Sequence, residues 1–417
     1  VARLGVSVTL VGGKAPAVRR ILPITALSVG WLIAVYLAYA LLAPIPAVLA
    51  IPQPIATMST PTAAVTLPNY GASAIGATDS SQIFSGTDLD SARPIASITK
   101  IVTALVVLDR YPIAEGQPGE LLTLTAADAQ LRQTYAGLGG SIAAAPTGLT
   151  ISQRHVIDLM MVQSANNYAE TLAVWAFGSV DAYLIEARMW LQRHQLTAIT
   201  VADTTGFSLN NTASPRALLQ LGRIALANPV LAASAELPAV TVPGVGTYAN
   251  RNLIVGVDGV IGLKTGTLDE AGACLLFAAE HQIDGETLTV IGVVLGGPDH
   301  AQVAADVRSL LSSVRDDYHT LLLPKEGTTV AIYDAPWGEQ VRLQVADTVD
   351  ALVWGEVQAR TTLNTPTLQP GVHKASPPLT VRYGGEVVEI ALTLDGRLSG
   401  PGLAWKIRQP IVELFDR

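Results

Sequence analysis

Cysteine is nearly absent. The 417 residues hold one, Cys274, so no intrachain disulfide can form and stability must come from the core. Charge is scarce as well, at 14% of residues with a net of −8. With few cations, and no interleaving of arginine with aromatic residues, no surface is suited to nucleic acid. The six histidines (His155, His194, His281, His300, His319, His373) form no His-x-x-x-His or His-Glu pair. No metal is therefore expected, and no glycine pattern of the nucleotide-binding kind suggests a cofactor. From Ile21 through Thr78 there is no charged residue at all.

That uncharged stretch organises the N-terminal part. Residues 1–20 carry Arg3, Lys14, Arg19 and Arg20 and no acid, which places this tail in the cytoplasm. Residues 21–43 contain an apolar run, Ile24 to Ala43, of about the 20 residues that a bilayer-spanning helix needs. A retained single-pass anchor is expected, with everything after it outside the cell. Cleavage as a signal segment, near Val48-Leu49-Ala50, would make the rest a secreted protein. Residues 44–68, with six prolines among Ala, Thr and Ser, read as a semi-extended linker. From residue 69 the pattern becomes that of a folded domain. A hairpin is expected over Gly71–Thr78 and Ser81–Ser85, then a helical section from about Ala126 to Ala227, with segments at 152–163, 167–176, 181–194 and 214–227. Strands at Val260–Thr267, Ala273–Ala279 and Leu288–Leu295 follow, then an amphipathic helix over roughly 301–322. The folded domain is placed at 69–325. Residues 326–417 show short alternating runs (Thr329–Tyr333, Val341–Val345, Val357–Leu363, Val387–Leu394) broken by Gly, Pro and Asp, an all-β appendage.

Three short stretches carry chemistry. Ser97 and Lys100 stand about one helical turn apart, at the start of a helix that is apolar on nearly every side. A lysine in that setting needs a partner or a job, and a serine beside an amine of lowered pKa is a nucleophile with its own base. The plainer reading is a Ser N-cap followed by a lysine that reaches solvent. Ser164 and Asn166 interrupt two helices. Residues two apart do not share a helix face, so both point into one cleft only from a loop. A simple connector, with Asn167 as N-cap and Glu170 in a capping box, accounts for those two but leaves Ser164 and Asn166 unexplained. Lys264, Thr265, Gly266 and Thr267 lie on a strand whose glycines invite close approach of another backbone. That strand suits an extended peptide with a carboxylate, or it is a solvated edge. Lysine usage favours chemistry. Six lysines occur in the chain, and the only two between residues 15 and 324 are Lys100 and Lys264.

Taken together and in this order, Ser97-x-x-Lys100, Ser164-x-Asn166 and Lys264-Thr265-Gly266 resemble the signature of penicillin-binding proteins and serine β-lactamases. Residues 69–322 are most similar to the low-molecular-mass D-alanyl-D-alanine carboxypeptidases of the S11 serine peptidase family. The similarity extends through Ile95–Leu105, Ser164–Ala173, Gly262–Leu275, the loop Asp203–Phe207 and the segment Thr212–Leu218. It implies an α+β, DD-peptidase/β-lactamase-like fold, an antiparallel sheet flanked by helices beside an all-helical lobe. It also implies removal of the terminal D-alanine from peptidoglycan stem pentapeptides, and acylation by β-lactam antibiotics. By resemblance, Ser97 is the nucleophile, Lys100 its base and Ser164 a proton relay to the leaving group. Asn166 would hold the substrate amide, and Lys264 with Thr265 the terminal carboxylate. Gly266 lies in the same strand, and the N–H groups of Ser97 and Thr267 would form the oxyanion hole. D,D-endopeptidase or transpeptidase action on the same peptides is the alternative. A β-lactamase lacks support, because no Glu-x-x-Leu-Asn block lies between 167 and 260, and a signalling receptor would have only twenty cytoplasmic residues. The sequence departs from the family pattern at Asn167, where aspartate is usual, at Ala187–Trp190, and beyond Gly297, so no further carboxylate-binding arginine is assigned.

Overall fold

The computed structural model describes residues 18–415 other than 63 and 372–375, with side chains from 26 to 410. Residues 1–17 of the basic tail lie outside the described residues. The chain divides into two compact units, 60–320 with 352–356, and the remainder.

The larger unit is built on five antiparallel strands, β1 (Ala72–Ala77), β2 (Ile83–Thr87), β3 (Val260–Leu268), β4 (Gly272–Ile283) and β5 (Glu286–Gly297), in the order β3-β4-β5-β1-β2. Side chains alternate across the sheet, and both faces are apolar. Leu276, Ile291 and Val293 join the larger core cluster. Leu275, Phe277, Val290 and Val294 join a second, with Val307, Leu310 and Val314. Those last three lie on a long helix from His300 to Asp316. A sheet covered on both faces must be hydrophobic at consecutive positions, which is why 273–279 and 288–295 read as plain apolar runs.

The helical lobe begins with α1 (Thr99–Arg110), preceded by the 3-10 turn Ala96–Ile98. Every residue of α1 from Thr99 to Leu108 is buried, as its all-round apolar pattern requires. It packs against α2 (Gln153–Val162), α3 (Asn166–Phe177), α4 (Val180–Arg193) and α5 (Pro215–Ala227). Caps set the boundaries: Ser152, Ser179 and Ser214 accept the free N–H groups of α2, α4 and α5, and Pro215 opens α5. The architecture is the α+β arrangement expected.

Several expectations are corrected in detail. α3 starts at Asn166, and neither Asn167 nor Glu170 caps it. The amide of Asn167 bonds both N–H and C=O of Ala143, and Glu170 accepts the Tyr135 hydroxyl. The helix expected to reach 322 ends at Asp316, and residues 318–321 form a strand. Asp316 and Asp317 place negative charge where the helix dipole is already negative. The helical section also contains short strands, such as Ile199–Thr200 paired with Thr212–Ala213 ahead of α5.

The smaller unit is β-rich. One four-stranded antiparallel sheet has the order Ala50–Pro52, Thr329–Asp334, Gln340–Val345, Leu392–Leu394. Another has Met58–Ser59, Gln358–Thr362, Leu379–Tyr383, Glu386–Ile390. Thus part of the proline-rich stretch adds edge strands to two sheets, where prolines are tolerated. The run Val387–Leu394 divides between the sheets at Ala391. The appendage is not purely β: it ends in a helix, Leu403–Phe415, that includes Pro410. Proline cannot donate to the Lys406 carbonyl, and the next carbonyl, of Ile407, accepts the Tyr36 hydroxyl at 2.5 Å. Tyr36 lies on the N-terminal helix Val18–Leu42. Leu27, Trp31, Leu32, Tyr39 and Leu42 on that helix are exposed. Among the described residues no single helix is long and apolar enough to cross a membrane, and Ala26–Leu42 is the shorter apolar segment.

Candidate active site

The turn Ala96–Ile98 presents Ser97 at the head of α1. Ala96 is left-handed, with φ 45°, and its conformation is fixed from two sides. A Cβ on Gly206 would lie 1.8 Å from the Ala96 carbonyl oxygen, and one on Gly266 would lie 3.0 Å from the Ser97 nitrogen. Only glycine permits either approach. Lys100 is fully buried. Its Nζ lies 2.8 Å from Ser97 Oγ and donates to Asn166 Oδ1 and the Thr205 carbonyl, both at 2.6 Å. Burial, then the nearby Lys264, hold its pKa well below 10.5. A neutral amine has two protons and one lone pair. With the protons committed to Asn166 and Thr205, the lone pair faces the Ser97 hydroxyl, the arrangement a general base needs.

Ser164 and Asn166 line the same cleft of about 640 Å3 as Ser97. They do so because Ser164 is left-handed, φ 60°, an uncommon choice outside glycine, in the short link before α3. Asn166 gives its carbonyl oxygen to Lys100, which leaves its N–H2 for a ligand. Its backbone N–H donates to the Ser141 carbonyl at 2.8 Å. Together with Asn167 on Ala143 and the Tyr168 hydroxyl on the Ala144 carbonyl, this ties the cleft wall around Ser141 to the first turn of α3. Asn167 therefore has a structural reason to be an amide, because a carboxylate could not donate to a carbonyl.

Strand β3 supplies Thr265, Gly266 and Thr267 to the cleft. Lys264 is different. It is 1% exposed and does not line the cleft, and its Nζ donates to the Thr265 carbonyl at 3.1 Å. Burial first, then Arg251, bring its pKa down to about 7.

Three features are not evident from sequence. Arg251 and His300 line the cleft beside β3. Thr267 Oγ1 and His300 Nε2 are 2.5 Å apart, and burial, Lys264 and Arg251 keep the His300 pKa below 6.5. Asp203 organises the loop beneath the nucleophile. One carboxylate oxygen accepts the N–H groups of Thr205 and Gly206, and the other accepts those of Ser208 and the Asn211 amide, at 2.6–3.0 Å. Burial alone would raise its pKa, but these bonds outweigh burial and lower it. Arg251 and His300 are single residues with no motif around them. Among the described residues no group of three or more candidate ligands could hold a metal.

The chain matches the family described as D-alanyl-D-alanine carboxypeptidase, peptidase S11, over residues 66–299. It is 29% identical over 243 residues to a protein of Mycobacterium tuberculosis named D-alanyl-D-alanine carboxypeptidase DacB2, covering 54% of this chain and 77% of that protein. A D-alanyl-D-alanine endopeptidase of Pseudomonas aeruginosa is 29% identical over 191 residues, 44% of this chain and 58% of that one. Among solved structures, the DD-transpeptidase of Streptomyces K15 superposes with a TM-score of 0.52 at 22% identity, covering 61% and 98% of the two chains. The D-alanyl-D-alanine carboxypeptidase DacD of Francisella tularensis gives 0.56 at 19% identity, covering 81% and 95%. These structural likenesses concern the fold.

Proposed function

The chain belongs to the D-alanyl-D-alanine carboxypeptidase family, and from that premise we propose that it removes the terminal D-alanine from peptidoglycan stem pentapeptides through a Ser97 acyl-enzyme. The observation that carries this reading is Lys100 Nζ, held by Asn166 and Thr205 within 2.8 Å of Ser97 Oγ. Ser97 Oγ attacks the carbonyl carbon of the penultimate D-alanine, and Lys100 takes the hydroxyl proton. The oxyanion is received by the N–H groups of Ser97 and Thr267, donors typically worth about 3–4 kcal/mol each. Ser164 passes a proton to the departing amine as the C–N bond breaks, and D-alanine leaves. Water then attacks the ester, giving the tetrapeptide and free Ser97. Asn166 holds the substrate amide through its N–H2. The carboxylate binds near Thr265 and Gly266, under the influence of Lys264.

A β-lactam presents a similar carbonyl and a carboxylate, and its leaving amine stays tethered, so Ser97 should be trapped. The test is mass spectrometry after benzylpenicillin, with free D-alanine assayed from a pentapeptide ending in D-Ala-D-Ala. An adduct on Ser97, lost in Ser97→Ala with the fold retained, supports the reading. An adduct elsewhere, or undiminished labelling of Ser97→Ala, overturns it. Transfer to an added amine in place of D-alanine release into water would identify a transpeptidase. Release from cross-linked muropeptides alone would identify an endopeptidase.

Such a substrate lies outside the cytoplasm, so the catalytic unit is placed there, held to the membrane by the N-terminal helix as a single-pass anchor. Supporting this are Arg19 and Arg20 ahead of a stretch without charge and the exposed apolar side chains of Leu27 to Leu42. Protease added to intact wall-less cells should digest the domain, and full protection would defeat the topology.

A further inference from the structure

Thr267 stands at a weak point of the cleft wall. The order β3-β4-β5-β1-β2 makes β3 an edge strand, bonded to a neighbouring strand along one side only. Thr267 is its last residue but one, opposite Ala273, and the exposed pair Asp269 and Glu270 follows in the turn to β4. A donor for an oxyanion has to be aimed before the charge develops, because reorientation during the reaction cancels part of its benefit. The end of β3 therefore needs a hold from outside the sheet.

His300 is placed to supply it. It is the first residue of the helix His300–Asp316, whose N-cap, Asp299, accepts the Gln302 N–H at 2.8 Å. Val303, one turn further on, is buried in the second core cluster and seats against Gly297, where a Cβ would lie 2.2 Å from its Cγ2. The imidazole thus projects from a fixed backbone. Its Nε2 lies 2.5 Å from Thr267 Oγ1, across 33 residues of sequence, and both residues line the cleft. Among the described residues no other group bonds the Thr267 hydroxyl. Threonine is β-branched and stiff at χ1, so fixing Oγ1 also fixes the backbone that carries its N–H. Burial, Lys264 and Arg251 outweigh Asp299 and keep the ring uncharged at neutral pH. An uncharged imidazole bonds a hydroxyl in either sense and adds no charge beside the ligand. Its contribution is one of position.

We infer that His300 is a positioning residue that holds the end of β3, and with it the Thr267 N–H, ready for the tetrahedral intermediate. The use made of that N–H rests on the acyl-enzyme reading, whereas the hold itself does not.

The experiment follows benzylpenicillin acylation of wild type, His300→Ala, His300→Gln, Thr267→Val and the double variant His300→Ala with Thr267→Val. Each course is resolved into Kd for the initial complex and a rate constant for acylation. His300→Ala should lower the rate constant about tenfold and change Kd less than about twofold, because the oxyanion exists only after attack. His300→Gln, with an amide that reaches the same hydroxyl, should recover part of the loss. Thr267→Val keeps the branched side chain and the N–H but loses the hydroxyl, so its loss should match that of His300→Ala. The double variant should lose no more than either single one, since both remove one contact. A loss confined to Kd would make His300 a ligand contact, additive losses would make the two residues independent, and no loss would leave the hold without effect. Each of these overturns the inference. The Thr267 amide resonance of isotope-labelled protein reads the hold without any chemistry. It should move in His300→Ala and return toward its wild-type position in His300→Gln. If wild type forms no adduct at all, the acyl-enzyme reading falls, while an amide that moves and returns still supports the hold by His300. An amide unmoved in His300→Ala overturns it.

Discussion

Lys100 and Lys264 are both buried in one protein interior, and the nearby Lys264 lowers the tendency of Lys100 to carry charge. Burial of Lys264 also makes stability depend on pH. Its folded pKa is about 7 against an ordinary 10.5, so between those values the unfolded chain binds the proton that the folded chain refuses. Stability therefore rises with pH across that window and is lowest below it. Lys264→Met should stabilise the fold at pH 7, on the order of a few kcal/mol, since each pH unit between the two values is worth about 1.4 kcal/mol. The gain should shrink toward zero near pH 10, as read by urea unfolding at the two pH values. The same substitution removes a positive neighbour, so the Lys100 pKa rises and the acid limb of the penicillin acylation profile moves to higher pH. An unmoved limb would mean that the two amines do not communicate. Legibility at this scale was uneven. Ser97, Lys100, Ser164 and Asn166 stood out because their chemistry depends on short spacing. Arg251 and His300 approach the cleft from positions 49 residues apart in sequence, which no local pattern announces.

At the scale of elements, the loop 203–211 does for the nucleophile what a packed helix cannot. Asp203 gathers the N–H groups of Thr205, Gly206 and Ser208, while Thr205 gives its carbonyl to Lys100 and Gly206 seats against Ala96. In Asp203→Asn an N–H2 would face backbone N–H groups. The cost should be about 2–3 kcal/mol, the range for leaving buried donors unsatisfied, together with a fall in kcat as Lys100 loses a fixed acceptor. Because the carboxyl pKa is lowered in the folded state, its stabilisation is present above the ordinary carboxylate range and is lost as pH falls through the folded value. The gap between wild-type and variant melting temperatures should therefore narrow on acidification. A gap independent of pH would remove the charge from the explanation. The strands were readable as apolar runs, yet β4 and β5 extend further, to a two-residue turn at Asp284-Gly285 with both residues at positive φ. Asp-Gly is a strong hairpin signal, but the polar ends of the strands, such as Glu280 and Glu286, hid the continuity. The capping-box reading of Asn167 and Glu170 failed for a related reason: side chains that fit a local motif were used instead for contacts 24 and 35 residues away in sequence.

For the whole molecule, composition separates a helical and mixed region from a β-rich one, but a composition change cannot reveal a segment that returns. Residues 352–356 belong to the catalytic unit although the chain on both sides of them does not. There Trp354 stacks on Phe84 of β2, with centroids 4.5 Å apart, and its indole N–H donates to the Val314 carbonyl at 3.1 Å. Phe84 meets Tyr318 edge-on at 6.0 Å. The three rings cover the end of the second core cluster, where Val314 is fully buried. Trp354→Ala should therefore cost about 2–3 kcal/mol, somewhat below the 3–5 of a fully buried aromatic because the ring is only partly buried. Trp354→Phe keeps the stack and loses only the hydrogen bond, a cost nearer 1 kcal/mol. Neither ring nor carbonyl lines the catalytic cleft, so the penicillin acylation rate at a temperature below the transition should stay within about twofold. Thermal melting and acylation measured on the same two variants decide the matter. If Trp354→Ala melts like the wild type, the returning segment contributes nothing to the catalytic unit. If it melts normally but acylates slowly, the segment acts on the site by a route that the packing does not contain.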